Sequence, residues 1–407
     1  MASVLGQLPL VGSLFSPKYP SIDLESVEVH CIERAPEKRP RTLKYLLRAN
    51  HVNHSILYHN LRYHNHMPHV LSSAYLIGAN HHQLNKIYEA EAEELEPWKE
   101  SPCELTETDW RDYLGDGNYQ RAFIDFFEDG VAMRNAYDWK KVVHQYMFEG
   151  DEPLVNCLVS GLGHPLIHLG YAFEMDNKEV ALEALAMSAC THNYLHKYSD
   201  DPSYTKPAPF SSTSPLELLN KIADDKRFDG IYKEGDFDLD VLFRGHESLV
   251  MEYWNAWDLS DPKKQFQLSQ EAAVNLLVGT VAPGTHSYSF FLVHILTTSH
   301  AVRILLPFIP AKFHMSVVRQ WWLLTIAVYV ANLRPKIDPG YIDPGSHKSE
   351  IWTYVEDKAV NGPWATDAHF VKAVRAMREM SRTWGDVHER YLYAAIRFVD
   401  DFEGWVF

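Results

Sequence analysis

Apolar residues along most of this chain recur at helical spacing, three and four positions apart, and rarely with the alternation of a strand. Met67 to Asn80, MPHVLSSAYLIGAN, shows the pattern: Pro68 stands at a first helical position, apolar residues fall at 70, 71, 74, 75 and 77, and Gly78 marks the stop. Further helices are predicted over 83–96, ended by Pro97, and over 101–113 and 119–130, where Asp-Gly-Asn and Glu-Asp-Gly supply turns. In Gly161 to Glu174, GLGHPLIHLGYAFE, Pro165 opens a helix and His168 lies one turn beyond His164. Asn177 is the expected N-cap of a long helix over 178–198, which carries His192 and His196 at the same spacing. The second half repeats the period over 215–225, 238–257 and 261–278. A Pro283-Gly284 turn then precedes an apolar run that encloses His294, and Asp367 caps the helix AHFVKAVRAMREMSR.

Between these helices, residues 1–40, with prolines at 9, 17, 20, 36 and 40, are expected to form an irregular arm holding one short strand over 27–32. The Ser/Pro-rich stretch 200–215 is the candidate interlobe loop or lid, and 335–345 is a second long loop. No repeat of fixed period is present. The predicted fold is all-α: a large helical catalytic domain over 41–407, with 200–215 as the break should it divide into two lobes.

Charge and composition narrow the partners. Lys and Arg number 38 against 54 Asp and Glu, a formal charge of −16, which argues against nucleic acid and against an anionic membrane surface. The longest apolar run, Trp321 to Leu333, is too short to span a bilayer and predicts a buried helix. The first residues lack a basic segment before their apolar run, so no secretory signal is assigned. Four scattered cysteines without a CxxC point to a reducing, cytoplasmic setting. A neutral or apolar small molecule is the expected ligand. The 22 histidines direct the search for chemistry to metals.

Several common sites are absent by inspection: GxGxxG, HExxH, a Walker A loop, a GxSxG elbow, and any histidine followed two residues later by Asp or Glu. What remains is histidine on apolar helices, namely His66 and His69, His164 and His168, and His294. Such residues either pair buried carbonyls as core histidines or bind iron, zinc, copper or nickel. Imidazoles alone would leave a divalent cation uncompensated in a low-dielectric core, so an anionic partner is required. Glu174, Asp176 and Asp367 are candidates, and so is Lys372 if it is converted to a carbamate. Projected at about 100° per residue, His369 falls inside the apolar arc of its helix and Lys372 at the polar edge.

Four segments in order, HNHMPHVLSSAYLIGA (64–79), GHPLIHLGYAFE (163–174), FFLVHILTTSHAVRILLP (290–307) and HFVKAVRAM (369–377), resemble the questin oxidase-like family. The resemblance implies a fungal Baeyer–Villiger-type oxidase of secondary metabolism that opens the central ring of an anthraquinone-type polyketide with dioxygen. It further implies a non-haem Fe(II) held by four histidines and a carboxylated lysine. Carried onto this chain, the lysine is Lys372, and the histidines come from His66, His69, His164, His168 and His294, with His369 in reserve. Lys372 and His168 are then the catalytic candidates, and Tyr171, Phe173, Phe290 and Trp364 the candidate aromatic walls. A metal-free, NADPH-dependent Baeyer–Villiger monooxygenase, a metal-dependent hydrolase and a non-catalytic helical polyketide-binding protein are the competing expectations.

Overall fold

The computed structural model describes residues 19–407 apart from Pro344. Sixteen α-helices account for most of the regular structure among the described residues: α1 (Lys38–Asn53), α2 (Met67–Leu76), α3 (His81–Ala92), α4 (Gln120–Asp129), α5 (Trp139–Phe148), α6 (His164–Glu174), α7 (Lys178–Cys190), α8 (Lys197–Asp200), α9 (Pro215–Asp224), α10 (Asp240–Ala256), α11 (Pro262–Val278), α12 (Leu292–Leu305), α13 (His314–Ala331), α14 (Trp352–Asn361), α15 (Ala368–Trp384) and α16 (Arg390–Asp401). Among the described residues the strands are two-residue pairs: β1 (Leu57–Tyr58) runs antiparallel to β2 (Tyr63–His64), and β3 (Tyr288–Ser289) parallel to β4 (Trp405–Val406). The fold is all-α, as the helical period predicts. No helix among the described residues is long and apolar enough to cross a membrane. The apolar run from Trp321 lies mostly in α13, buried against α10 and α12, where Trp321 and Trp322 donate to the carbonyls of Ile295 and Tyr253.

Four helices position the site. α2 packs on α6 and α15, and α12 packs on α6 and α15, which closes a ring of four. All four run in the same direction. Each carries one histidine at or next to its N-terminal end, His66, His164, His294 and His369. Nine or ten residues later each contributes a residue, Leu76, Glu174, Arg303 or Glu379, to a single cavity of about 800 Å³. At 1.5 Å rise per residue the cavity lies about 15 Å from the histidines.

Local sequence sets the helix starts. Pro68 and Pro165 occupy the first turns of α2 and α6, where the missing N–H is not needed. Asp367 accepts from the Phe370 N–H at 2.8 Å to cap α15, and Asn177 accepts from the Val180 N–H at 3.0 Å to cap α7. Gly163, just before α6, has φ +78°, and a Cβ there would collide with the Thr298 methyl of α12. Only glycine lets α6 begin so close to α12.

The remaining expectations fare unevenly. Pro9 and Pro17 of the predicted arm lie outside the described residues, and 27–32 forms no strand. The arm instead lies across the helices in extended form: Ile22 N–H donates to His314 Nδ1, and His30 N–H to the Glu174 carbonyl at the end of α6. Of 101–113 only the 3₁₀ turn Trp110–Tyr113 is helical, because Trp110 is its one deeply buried residue and Asp109 turns back to the Thr106 N–H. The long helix over 178–198 stops at Cys190, where Asn193 caps a separate turn that holds His196. Residues 200–215 are anchored at the end of α10. Lys206 and Ser212 hydrogen-bond to Asn255 and Ala256 at the end of α10.

One buried charge cluster ties α1 to α7 and α4. His51 places Nδ1 2.8 Å from Glu183 Oε1 and Nε2 3.1 Å from Glu128 Oε1. Burial opposes its charge, but the two carboxylates outweigh burial and hold the ring up to about 9. A folded-state value above the unfolded one gives stability that is complete below pH 6.5 and is lost as pH rises through about 9. The stability advantage of the native chain over His51→Gln should therefore shrink by about 2–4 kcal/mol between pH 6 and pH 10 in urea unfolding. A pH-independent difference would contradict the ion-paired imidazolium. Gly163→Ala should lower the unfolding free energy by about 2–4 kcal/mol, from the left-handed backbone and the Thr298 collision together. An unchanged melting temperature would refute that account of the α6 start.

Candidate metal centre

The parallel arrangement of α2 and α6 stacks two rungs of histidines. His66 Nε2 lies 2.8 Å from His164 Nε2, and one turn further His69 Nε2 lies 2.8 Å from His168 Nδ1. On the other side of the ring, His294 Nε2 of α12 lies 3.2 Å from His369 Nε2 of α15. Ligand atoms of His66, His164 and His369 all fall within 4.8 Å of one another. The His164 and His294 rings are 5.1 Å apart, so the two sides of the ring face a common centre.

Hydrogen bonds fix which nitrogens are bare. His164 Nδ1 donates to the Gly161 carbonyl at 2.6 Å, and His294 Nδ1 donates to the Phe290 carbonyl at 2.8 Å. Each ring is neutral, so each Nε2 carries a lone pair directed at a partner Nε2. Such contacts need either a proton on His66 and His369 or a shared cation between the rings. Backbone carbonyls behind the distal nitrogens are the usual support of metal-ligating histidine.

The electrostatics of the centre exclude positive charge. Burial, with the charge of Lys372 and of neighbouring imidazoles, holds His66, His69, His164, His294 and His369 well below the ordinary imidazole range. Lys372 is fully buried, and its Nζ has no hydrogen-bond partner among the described residues. Burial lowers it to about 7 against the opposing pull of Asp367 and Glu91. An unpartnered ammonium would be costly there, whereas a neutral amine or an anionic carbamate would not.

The structure thus gathers His66, His164 and His294, with Lys372 beside them, and brings in His369, the reserve residue. His69 and His168 form an adjoining pair: His168 Nε2 lies 2.9 Å from Glu183 Oε2, and His69 Nδ1 has no partner among the described residues. None of the three carboxylates singled out in the sequence bonds to a histidine of the centre. Glu174 pairs with Arg375 at the far end of the helices, Asp176 with Lys140, and Asp367 accepts from Trp405 Nε1. Of the aromatic candidates, Phe290 lies against His369 and His294, and Tyr171 against His69. Phe173 stacks on Phe308 and Trp364 meets Phe402, both away from the histidines.

Three residues escaped the sequence reading. His64 stacks on His164 with centroids 4.0 Å apart, its Nε2 2.8 Å from where a Gly161 Cβ would sit, and burial lowers it to about 3. Glu183 was detectable as one of two acids, with Glu179, in α7, a helix buried on nearly every side. His51 gave no local signal. The C-terminal strand closes the site: the Phe290 N–H donates to the Val406 carbonyl, and Phe407 stacks on Phe290 at 4.6 Å.

Comparison with known proteins places this site in a family. The questin oxidase-like family model matches residues 63–377, from the approach to α2 through Lys372 on α15. The chain is similar to a questin oxidase of Aspergillus fumigatus, 26% identical over 287 residues that make up 64% of this chain and 63% of that protein. It also resembles the Baeyer-Villiger oxidase mdpL of Emericella nidulans, 29% identical over 179 residues, 40% of this chain and 39% of that protein. A third relative, the Baeyer-Villiger monooxygenase AacuH of Aspergillus aculeatus, is 30% identical over 153 residues, 35% of this chain and 31% of that protein. These matches span only part of each relative's length. On the family match across the whole histidine-bearing frame, the chain belongs to the questin oxidase-like family.

Proposed function

We propose that this chain is an oxidoreductase that opens the central ring of an anthraquinone-type polyketide with dioxygen, using a non-haem iron held at the histidine centre. The observation that carries this reading is the clustering of ligand atoms of His66, His164 and His369 within 4.8 Å of one another, with His294 Nε2 3.2 Å from His369 Nε2 and a buried lysine amine that has no hydrogen-bond partner among the described residues. His66, His164, His294 and His369 are the proposed nitrogen ligands, and a carboxylated Lys372 the oxygen ligand. The relatives named questin oxidase and Baeyer-Villiger oxidase support the substrate class and the oxidative outcome.

The donor set suits a divalent transition metal of intermediate softness. Iron(II), when bound, supplies the redox chemistry that dioxygen requires. The chain's own residues supply the rest. Lys372, near neutrality at about 7, exposes a free amine that can add carbon dioxide and lose a proton, giving a carbamate anion. That anion offsets cationic charge where water does not reach. Gly161 and Phe290 hold the His164 and His294 rings through their carbonyls. Phe290, Trp405 and Phe407 form an aromatic cluster beside His369, which offers a flat wall to a planar substrate.

Protein loaded anaerobically with Fe(II) should carry about one iron per chain by elemental mass spectrometry, and His369→Ala and Lys372→Ala should each weaken retention by roughly tenfold or more. Chelation should abolish ring opening of an anthraquinone substrate. Iron-free protein with unmodified Lys372 and full activity after chelation would overturn the proposal.

A further inference from the structure

Beside the histidine ring, four phenylalanines that keep part of their surface in solvent meet at one place: Phe237, Phe290, Phe291 and Phe407. Three of them, Phe237, Phe291 and Phe407, line a pocket of about 320 Å³ between residues 233–237, the start of α12 and β4. The Phe237 ring lies nearly parallel to that of Phe291, with 13° between the planes, and the Phe407 ring stands at 88° to Phe291. The fourth, Phe290, stacks on Phe407 at 4.6 Å and packs against His369 at 4.6 Å and His294 at 5.1 Å. A single pair of stacked rings thus leads from the pocket to the centre.

The start of α12 fixes this arrangement. Phe290 and Phe291 follow β3 directly and set their rings 83° apart, one against the histidines and the other into the pocket. Ser289 Oγ accepts from the N–H groups of Phe291 and Leu292 at 3.2 and 3.3 Å and donates to Asn332 Oδ1 at 2.6 Å. β4 is held by the Phe290 N–H, which donates to the Val406 carbonyl at 2.8 Å, and by Trp405 Nε1, which donates to Asp367 Oδ2 at 2.9 Å. Asp367 also caps α15, so the strand that carries Phe407 is tied to the helix that carries His369 and Lys372. Single exposed phenylalanines are ordinary, but a cluster of four marks a surface that binds an apolar group. Rings set parallel and perpendicular to one another accept a further flat ring by offset stacking and edge-to-face contact. At the rim the Lys233 ammonium and the Ser287 hydroxyl can donate to ring oxygens, while Glu234 and Asp236 beside them disfavour an anion.

We propose that this pocket is the outer half of the ligand site, taking one end of a neutral, planar, fused-ring aromatic that lies along the Phe290–Phe407 stack towards His369. Phe237 is the specificity-determining residue of this half. It stacks on Phe291 inside the pocket, so it acts on the ligand directly and not through the histidines. That the ligand is also the substrate rests on the proposed function, but its binding here does not require a metal.

The test uses the metal-stripped full chain and danthron, a neutral dihydroxyanthraquinone, with affinity read by tryptophan quenching and equilibrium dialysis. The native chain should bind it, Phe237→Ala and Phe407→Ala should each weaken binding by about tenfold, and Phe237→Tyr, which keeps the ring, should restore it. Phe237 sits in an exposed loop and Phe407 on the surface, so loss of either ring leaves the helical core intact. No binding by the native chain, or native affinity in either alanine variant with native circular dichroism, would overturn the pocket. Iron uptake and ring opening on the same variants separate the two readings. A chain that binds danthron through these phenylalanines but takes up no iron keeps the pocket and removes the metal. A chain that takes up iron and opens the ring with an unchanged KM in Phe237→Ala keeps the metal and removes the pocket.

Discussion

The structure turns on the parallel packing of α2, α6, α12 and α15, which directs four helix N-termini at one buried point. Each terminus carries partial positive charge and unpaired N–H groups, and antiparallel packing would have cancelled this. Among the four, the side chain of the N-cap residue itself caps only α15, through Asp367, while Asn65 and Ser289 accept from the first N–H groups of α2 and α12. A point surrounded this way repels cations. The lowered Lys372 is a consequence of burial, and the lowered imidazoles of burial together with the charge of Lys372 and of one another. A metal can enter only with an anion, and the carbamate proposed for Lys372 places one where the helices converge.

The opposite pole obeys the same rule with the sign reversed. The C-terminal halves of the four helices face the 800 Å³ cavity, where Arg303, Arg375 and Arg382 meet the negative helix ends. Glu174 and Glu379 bridge the arginines, with Arg375 to Glu174 at 2.5 Å and Arg375 to Glu379 at 3.2 Å. The bundle thus carries its compensating charges at one end on permanent side chains. At the other it depends on Glu183, reached through His168, and on whatever Lys372 becomes.

Much of this was visible in the sequence because it depends on local spacing. Proline in the first turn followed by helical periodicity located α2 and α6, and histidines near those starts marked the centre. The amphipathic projection placed His369 inward and Lys372 at the edge, and Lys372 is buried because neighbouring helices cover that edge. What escaped notice depends on long-range packing. The pairing of His66 with His164 and of His69 with His168 follows from the helices being parallel, which no local spacing records. Glu174 and Asp176 looked like suitable anions by proximity in sequence, yet they lie at the wrong end of α6. His51 and Glu183 meet across 132 positions. The loop at 200–215 has the composition of an interlobe loop or lid, and the pairing of Ser212 and Lys206 with the end of α10 is a long-range contact its composition does not record.

Anomalous diffraction at the iron edge, from crystals of Fe(II)-loaded protein, tests the central claim most directly. The account predicts one anomalous peak between the Nε2 atoms of His66, His164, His294 and His369, with electron density for a carbamate extending from Lys372 Nζ towards it. A well-ordered centre with no anomalous peak and a plain lysine at 372 would contradict it.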